Sequence, residues 1–185
     1  MADTTNFRNG YTILIEGAIF QIVEFQHVKP GKGGAFVRTR LKNMHTGAVL
    51  DRTFRSGDKV EEVRVEKRDM QYLYAEGDVY HFMDNETYEQ ITVDRGTVGD
   101  GANLLKENEN VGVLMALEKP IGVELPNFVI LRVVQTDPGF KGDTANGAVK
   151  PATVETGATV NVPLFVNQDD LLRIDTRTGD YVERA

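Results

Sequence analysis

Apolar residues recur at every second position over short runs, and each run is broken by turn residues. Tyr11, Ile13 and Ile15 form one such run, ended by Gly17. Ala18 to Val28 forms a longer one with Phe20, Ile22 and Phe25. From Ala35 to Asn43, Val37, Thr39 and Leu41 alternate with Arg38, Arg40 and Lys42, so the pattern predicts a strand with three cations on one face. Thr46-Gly47 marks a turn, Val49 to Arg55 a further strand, and Gly57-Asp58 another turn. The first 64 residues therefore predict about five strands with tight connections, enough for a small closed barrel.

The style continues downstream. Met70–Tyr74 and Val79–Met83 flank the turn Glu76-Gly77-Asp78, and Tyr88–Val93 follows. Asn103–Glu107 reads as one short helix. Val111–Leu117 and Ile121–Leu125 flank a predicted hairpin at Lys119-Pro120. Phe128–Gln135 precedes a long loop, Thr136 to Pro151, and strands are expected over Thr153–Glu155, Thr159–Val166 and Leu171–Asp175, with a last turn at Thr178-Gly179. Regular turn signals and few helical periods predict an all-β chain.

Composition adds exclusions. The 185 residues are 41% hydrophobic and 26% charged, as in ordinary globular chains, and contain no Cys, which removes disulfides, thiolate metal sites and Cys nucleophiles. The apolar runs are far shorter than the ~20 residues of a membrane span, and Met1-Ala2-Asp3-Thr4-Thr5 has no basic start followed by an apolar core. A cytoplasmic protein without membrane contact is expected, and Asn85-Glu86-Thr87 reads as a chance sequon. The net charge of −7 argues against a simple coat for nucleic acid. Division changes that picture. A sharp change of charge near Arg64 and the break at Pro126-Asn127 suggest units 1–64, 65–127 and 128–185. The first holds 10 Lys/Arg against 7 Asp/Glu (+3), the second 5 against 13 (−8), the third 6 against 8 (−2). Such asymmetry points to nucleic-acid contact by one part only. Units of this size are near the lower limit for independent folding, so shared interfaces are expected.

The stretch Lys29-Pro30-Gly31-Lys32-Gly33-Gly34-Ala35-Phe36 lies between two predicted strands. Pro30 fixes φ, and Gly31, Gly33 and Gly34 permit positive φ and close approach to another surface. Lys32 stands at the apex of a narrow cationic tip suited to a phosphate-lined crevice. The phosphate-cradling loop Gly-x4-Gly-Lys-Ser/Thr is excluded because Gly33 and a strand follow Lys32. The dinucleotide fingerprint fails because Phe36 stands where its third Gly belongs. An ordinary solvated lysine is the competing reading. The flanking glycines, Lys29 and the face Arg38/Arg40/Lys42 weigh against it.

These residues resemble a known family. Lys29 to Phe36 is similar to the modified-lysine loop of the bacterial elongation factor P family. Similar stretches cover the whole chain: Thr53–Lys59, Gln71–Tyr74, Phe82–Asp84, Tyr88–Gln90, Gly142-Asp143-Thr144, Lys150–Thr153, Val162–Val166 and Ile174–Tyr181. Asp169 departs from the family, which usually has Gly at that turn. The resemblance implies three small β-barrel domains, an N-terminal KOW/SH3-like barrel and two OB-folds, in an L-shaped, tRNA-like arrangement. It implies a non-enzymatic translation factor without cofactor, a monomer that binds the 70S ribosome between the peptidyl-tRNA and exit sites. Lys32 would touch the CCA end of peptidyl-tRNA, supported by Lys29, Pro30, Gly31, Gly33 and Gly34. The factor would stimulate peptide-bond formation and relieve stalling at consecutive prolines. In many members of the family a modifying enzyme extends the tip residue with β-lysine or an aminopentanol group, and in others it is unmodified; Lys32 is the matching position. Arg38, Arg40 and Lys42 are candidate tRNA or rRNA contacts, and Gly142, Asp143 and Thr144 a candidate exit-site and small-subunit loop. The family's paralogue lacks the Lys-Pro-Gly-Lys-Gly tip, so the chain is placed with the main factor.

Other constellations give less. His27, His45 and His81 lack metal-ligand spacing, so no metal site is expected. Glu107/Glu109 and Asp169/Asp170 read as solvated turns. Arg173, Arg177 and Tyr181 are candidates for rRNA contact, or a solvated strand face. Two rival classes remain. A general OB-fold nucleic-acid binder would need stacking aromatics on a basic groove, which the −8 segment disfavours. An enzyme is disfavoured by the missing catalytic motif.

Overall fold

A computed structural model describes residues 1–139 and 147–185 of the chain. The first sheet contains β1 (Ala2–Asp3), β2 (Thr12–Ile15), β3 (Ala18–Val28), β4 (Phe36–Asn43), β5 (Val49–Arg55) and β6 (Lys59–Glu62), in the order β1-β6-β2-β3-β4-β5. The second contains β7 (Val65–Glu76), β8 (Val79–Asp84), β9 (Gln90–Asp94), β10 (Asn110–Ala116) and β11 (Lys119–Glu124), in the order β11-β10-β7-β8-β9. The third contains β12 (Phe128–Thr136), β13 (Val149–Val154), β14 (Thr159–Pro163), β15 (Leu171–Asp175) and β16 (Tyr181–Arg184), in the order β14-β13-β12-β15-β16. The chain is all-β, as the alternation predicts.

The residues form two compact units, 1–68 with 113–122, and 69–112 with 123–185. In the first, Phe7, Ile13, Phe20, Ile22, Val37, Leu41 and Phe54 fill the first sheet's concave side. A second cluster, centred on Val63, Ala116 and Ile121, takes in Leu14, Ile19 and Met44. In the second unit, Leu131, Val133, Val154, Val162, Leu172 and Ile174 form a core that also contains Leu104. Full burial of each such aliphatic side chain stabilises by about 1.5–3 kcal/mol. Leu104 and Leu125 precede the third sheet along the chain yet pack into its core. Gly101 makes room for that arrangement: a Cβ on it would lie 2.8 Å from Leu125 Cδ1.

Three local predictions shift. The helix expected at Asn103–Glu107 lies earlier, as an α-turn (Arg95–Val98) followed by a 3-10 segment (Gly99–Leu104). Asp94 starts it, accepting from the Thr97 amide at 3.0 Å and the Thr97 hydroxyl at 2.7 Å. The β10–β11 turn sits at Leu117-Glu118, both left-handed (φ 51° and 61°), and not at Lys119-Pro120. Pro120 instead lies on edge strand β11, where a missing N–H is tolerated. Finally, β16 was not anticipated; Tyr181 pairs with Ile174 across the Asp175–Asp180 turn.

Candidate functional site

The candidate site is the seven-residue loop 29–35 that closes the β3–β4 hairpin beyond its last pair, Val28↔Phe36. The hairpin is fixed from within. Val37, Thr39 and Leu41 are buried, while Arg38, Arg40 and Lys42 are exposed. The Thr39 hydroxyl is satisfied by donating to the Arg52 carbonyl at 2.7 Å. An irregularity between Ile22 and Glu24 shifts the β3 register, so Phe25 returns to the core side.

At the tip, Lys29, Pro30, Gly31, Lys32, Gly33 and Gly34 are all exposed, and Lys32 has no ion-pair partner among the described residues. The three glycines are not equivalent. Gly33 has φ +112°, a backbone conformation that L side chains rarely adopt, whereas Gly31 and Gly34 have no positive φ and open space where a Cβ would stand. The positive φ that all three glycines permit is thus used by one. Gly33 lets the chain reverse immediately after Lys32, leaving that side chain at the extremity.

The cationic face is graded. Arg40 is flanked across both neighbouring strands, 3.5 Å from Glu24 and 3.3 Å from Asp51. Its charge is therefore shared with two carboxylates. Nearer the tip, the Arg38 guanidinium lies 5.5 Å from the centre of the Phe36 ring. Lys42, at the far end, faces Gln21 and Val49. Two more cations stand on β5 that the sequence reading missed, one at the tip end and one opposite Thr39 at mid-strand. Arg55 pairs with Phe36 across β4–β5, and Arg52 lies over the Phe54 ring at 5.5 Å. Neither makes an ion pair among the described residues. The signal was available in the alternation of Val49–Arg55, but only the register brings β5 beside the tip. A depression of 340 Å³ on this face is lined by Glu24, Gln26, Arg38, Arg40, Asp51 and Thr53.

Gly142, Asp143 and Thr144 lie outside the described residues. The base of their loop is tightly built. Buried Lys150 donates from Nζ to the Asp137 carbonyl at 2.6 Å, and the Thr136 hydroxyl donates to the Pro151 carbonyl at 3.0 Å. Gly139 runs so close to β14's continuation that a Cβ on it would fall 2.5 Å from the Leu164 carbonyl oxygen. Arg173 and Arg177 both lie over the Phe128 ring, at 4.2 and 5.8 Å. Each is engaged internally: Arg173 with Glu183 at 2.8 Å, Arg177 with Asp175 at 2.6 and 3.0 Å. Hydrogen bonds from the Arg177 side chain and amide hold the Asp175 carboxyl down at about 2.

Three sheets follow one another along the chain, and the first presents a glycine-framed lysine at a hairpin tip, the arrangement that the resemblance to a translation-factor family implies. Comparison with known proteins agrees. The model described as "Elongation factor P (EF-P) KOW-like domain" matches residues 3–60, the EF-P OB domain matches 65–123, and "Elongation factor P, C-terminal" matches 129–184. The chain belongs to the elongation factor P family. It is 58% identical to elongation factor P of Pelotomaculum thermopropionicum and 56% identical to that of Acetivibrio thermocellus, each over all of both chains. Among solved structures, eukaryotic translation initiation factor 5A from Methanococcus jannaschii superposes with a TM-score of 0.55 at 26% identity, covering 66% of this chain and 92% of that one. The protein is thus a translation elongation factor with KOW-like and OB modules.

Proposed function

We propose that this protein binds the ribosome between the peptidyl-tRNA and exit sites and places Lys32 against the CCA end of peptidyl-tRNA. There it stimulates peptide-bond formation and relieves stalling at consecutive prolines. One observation carries the reading: Lys32 is an exposed, unpaired cation at the extremity of a hairpin whose one left-handed glycine follows it. A cation on a long stem can hold the CCA backbone through charge-assisted hydrogen bonds. Proline is a poor nucleophile in peptide transfer because its nitrogen is secondary and its ring constrains approach. A factor that orients the peptidyl-tRNA lowers the entropic part of that barrier. The ribosome remains the catalyst, and this chain performs no acid–base step.

In this reading the domains are 1–64, 65–127 and 128–185, and the factor works as a cytoplasmic monomer. Lys29, Pro30, Gly31, Gly33 and Gly34 support the tip, and Arg38 and Lys42 follow the RNA backbone, with Arg40 held between its carboxylates. Gly142, Asp143 and Thr144 meet the exit-site side of the small subunit. A modifying enzyme that extends Lys32 would lengthen the same cationic reach. The test is Lys32→Ala in translation of a message encoding consecutive prolines. Rescue is expected to be lost while stability stays within about 0.5 kcal/mol of the parent, as for an exposed substitution. A fully active variant would refute the proposal.

A further inference from the structure

The outer face of the second sheet carries an aromatic stack that the tip-centred reading does not use. Tyr74 and His81 are direct cross-strand partners on β7 and β8, with ring centres 4.4 Å apart and planes 17° from parallel. His81 covers one face of the Tyr74 ring, yet 43% of Tyr74 remains exposed. The next pair on the same face is Glu76↔Val79. It sets the Glu76 carboxylate 3.4 Å from His81 Nε2 and leaves Val79 41% exposed. The site thus combines an open ring, an apolar shoulder and a carboxylate, within a segment of net charge −8.

That combination selects its occupant. The face of a tyrosine ring is negative and attracts a cation. A guanidinium is flat, stacks on aromatic faces, and can take the adjacent carboxylate with its N–H fork. An ammonium is a strongly hydrated point charge and does neither as well. A nucleic-acid base would also stack on Tyr74, but its phosphates would meet Glu76 and the acidic segment around it. We infer that the Tyr74–His81–Glu76 face is a docking surface for an arginine side chain on a basic segment of a partner protein. This inference stands apart from the role of Lys32.

The test uses the full-length protein, 15N-labelled, titrated with a 12-residue peptide of alternating Arg and Gly. The comparisons are the same peptide with Lys for Arg, and a 12-nucleotide oligouridine. The Arg peptide should shift the Tyr74 and His81 resonances and bind about three-fold or more tightly than the Lys peptide. Tyr74→Ala should abolish that difference, Tyr74→Phe should retain it, and Glu76→Gln should weaken both peptides by about two-fold. The same preference in a Lys32→Ala background separates this surface from the tip. Equal affinity for the two peptides, a preference that survives Tyr74→Ala, or tighter binding of oligouridine would overturn the inference.

Discussion

Replacing each tip glycine by alanine separates a conformational requirement from a merely flexible loop. At Gly33, with φ +112°, a methyl would find ordinary space, since the nearest atom, Pro30 Cγ, is 3.9 Å from the Cβ position. The obstacle is the backbone angle, and holding a non-glycine residue in such a region costs about 1–3 kcal/mol. Because the loop is exposed and contributes nothing to either hydrophobic cluster of its unit, it can relieve that strain by rearranging without opening the core. The global unfolding free energy should therefore fall by less than about 1 kcal/mol. The same 1–3 kcal/mol corresponds to a shift of about 5- to 150-fold in the population of the native tip. Proline-stall rescue in a reconstituted translation system should drop by at least about five-fold. Gly31→Ala and Gly34→Ala, without a positive φ and in open space, should reduce rescue less than Gly33→Ala does and leave stability unchanged or higher by about 0.4–1 kcal/mol, because the unfolded chain loses freedom. Full activity in Gly33→Ala, or equal damage from all three substitutions, would refute the argument that the backbone angle at residue 33 sets the Lys32 position.

Three further outcomes follow from the fold. Leu104→Ala removes a buried side chain from the third sheet's core and should lower stability by about 3 kcal/mol, measured as a shift in urea midpoint at unchanged slope. Asp169 sits in a left-handed turn (φ +70°), so Asp169→Gly should be neutral to stabilising by about 1 kcal/mol, whereas Asp169→Val should destabilise by about 1–2 kcal/mol; equal signs would contradict the turn assignment. Asp175 is depressed from its ordinary 3.8 to about 2 by Arg177, so its contribution is present above pH 3.8 and is lost as pH falls toward 2. In acid titrations followed by circular dichroism, Asp175→Asn should lower stability at neutral pH and flatten its pH dependence over that window.

β3, β4 and β5 appear nearly where the sequence pattern put them, and in β4 burial alternates with period two along the strand. What escaped depends on contacts between distant segments. Leu104 reads as part of a local helix, yet it is buried because it inserts into a sheet that begins some two dozen residues later. Arg38, Arg40 and Lys42 look alike on one strand. Only the cross-strand register, Glu24↔Arg40↔Asp51, shows that one of them is already partnered. The tip glycines are identical letters, and the φ that distinguishes Gly33 is a property of the closed loop. Asp169 is the converse case. The resemblance leads to the expectation of Gly at that turn, and a φ of +70° suits Gly and Asp alike, since Asp is among the few non-glycine residues enriched there.

The charge of the first 64 residues gains meaning from the same register. A net of +3 would be weak attraction if it were spread evenly. It is not spread evenly. Glu24 and Asp51 stand at the level of Arg40, and Asp58 is occupied in accepting from the Arg55 amide at 2.8 Å. Lys29, Lys32, Arg38 and Arg55 are left as cations without carboxylate partners among the described residues, at or near the tip end of the hairpin. At physiological salt, exposed charges are felt over about 8 Å, so an approaching phosphate responds to this local group and not to the total of −7. A chain acidic overall can therefore present a phosphate-seeking end. The carboxylates beside Arg40 weaken that attraction at mid-strand, and Lys42 beyond them is a separate cation at the far end.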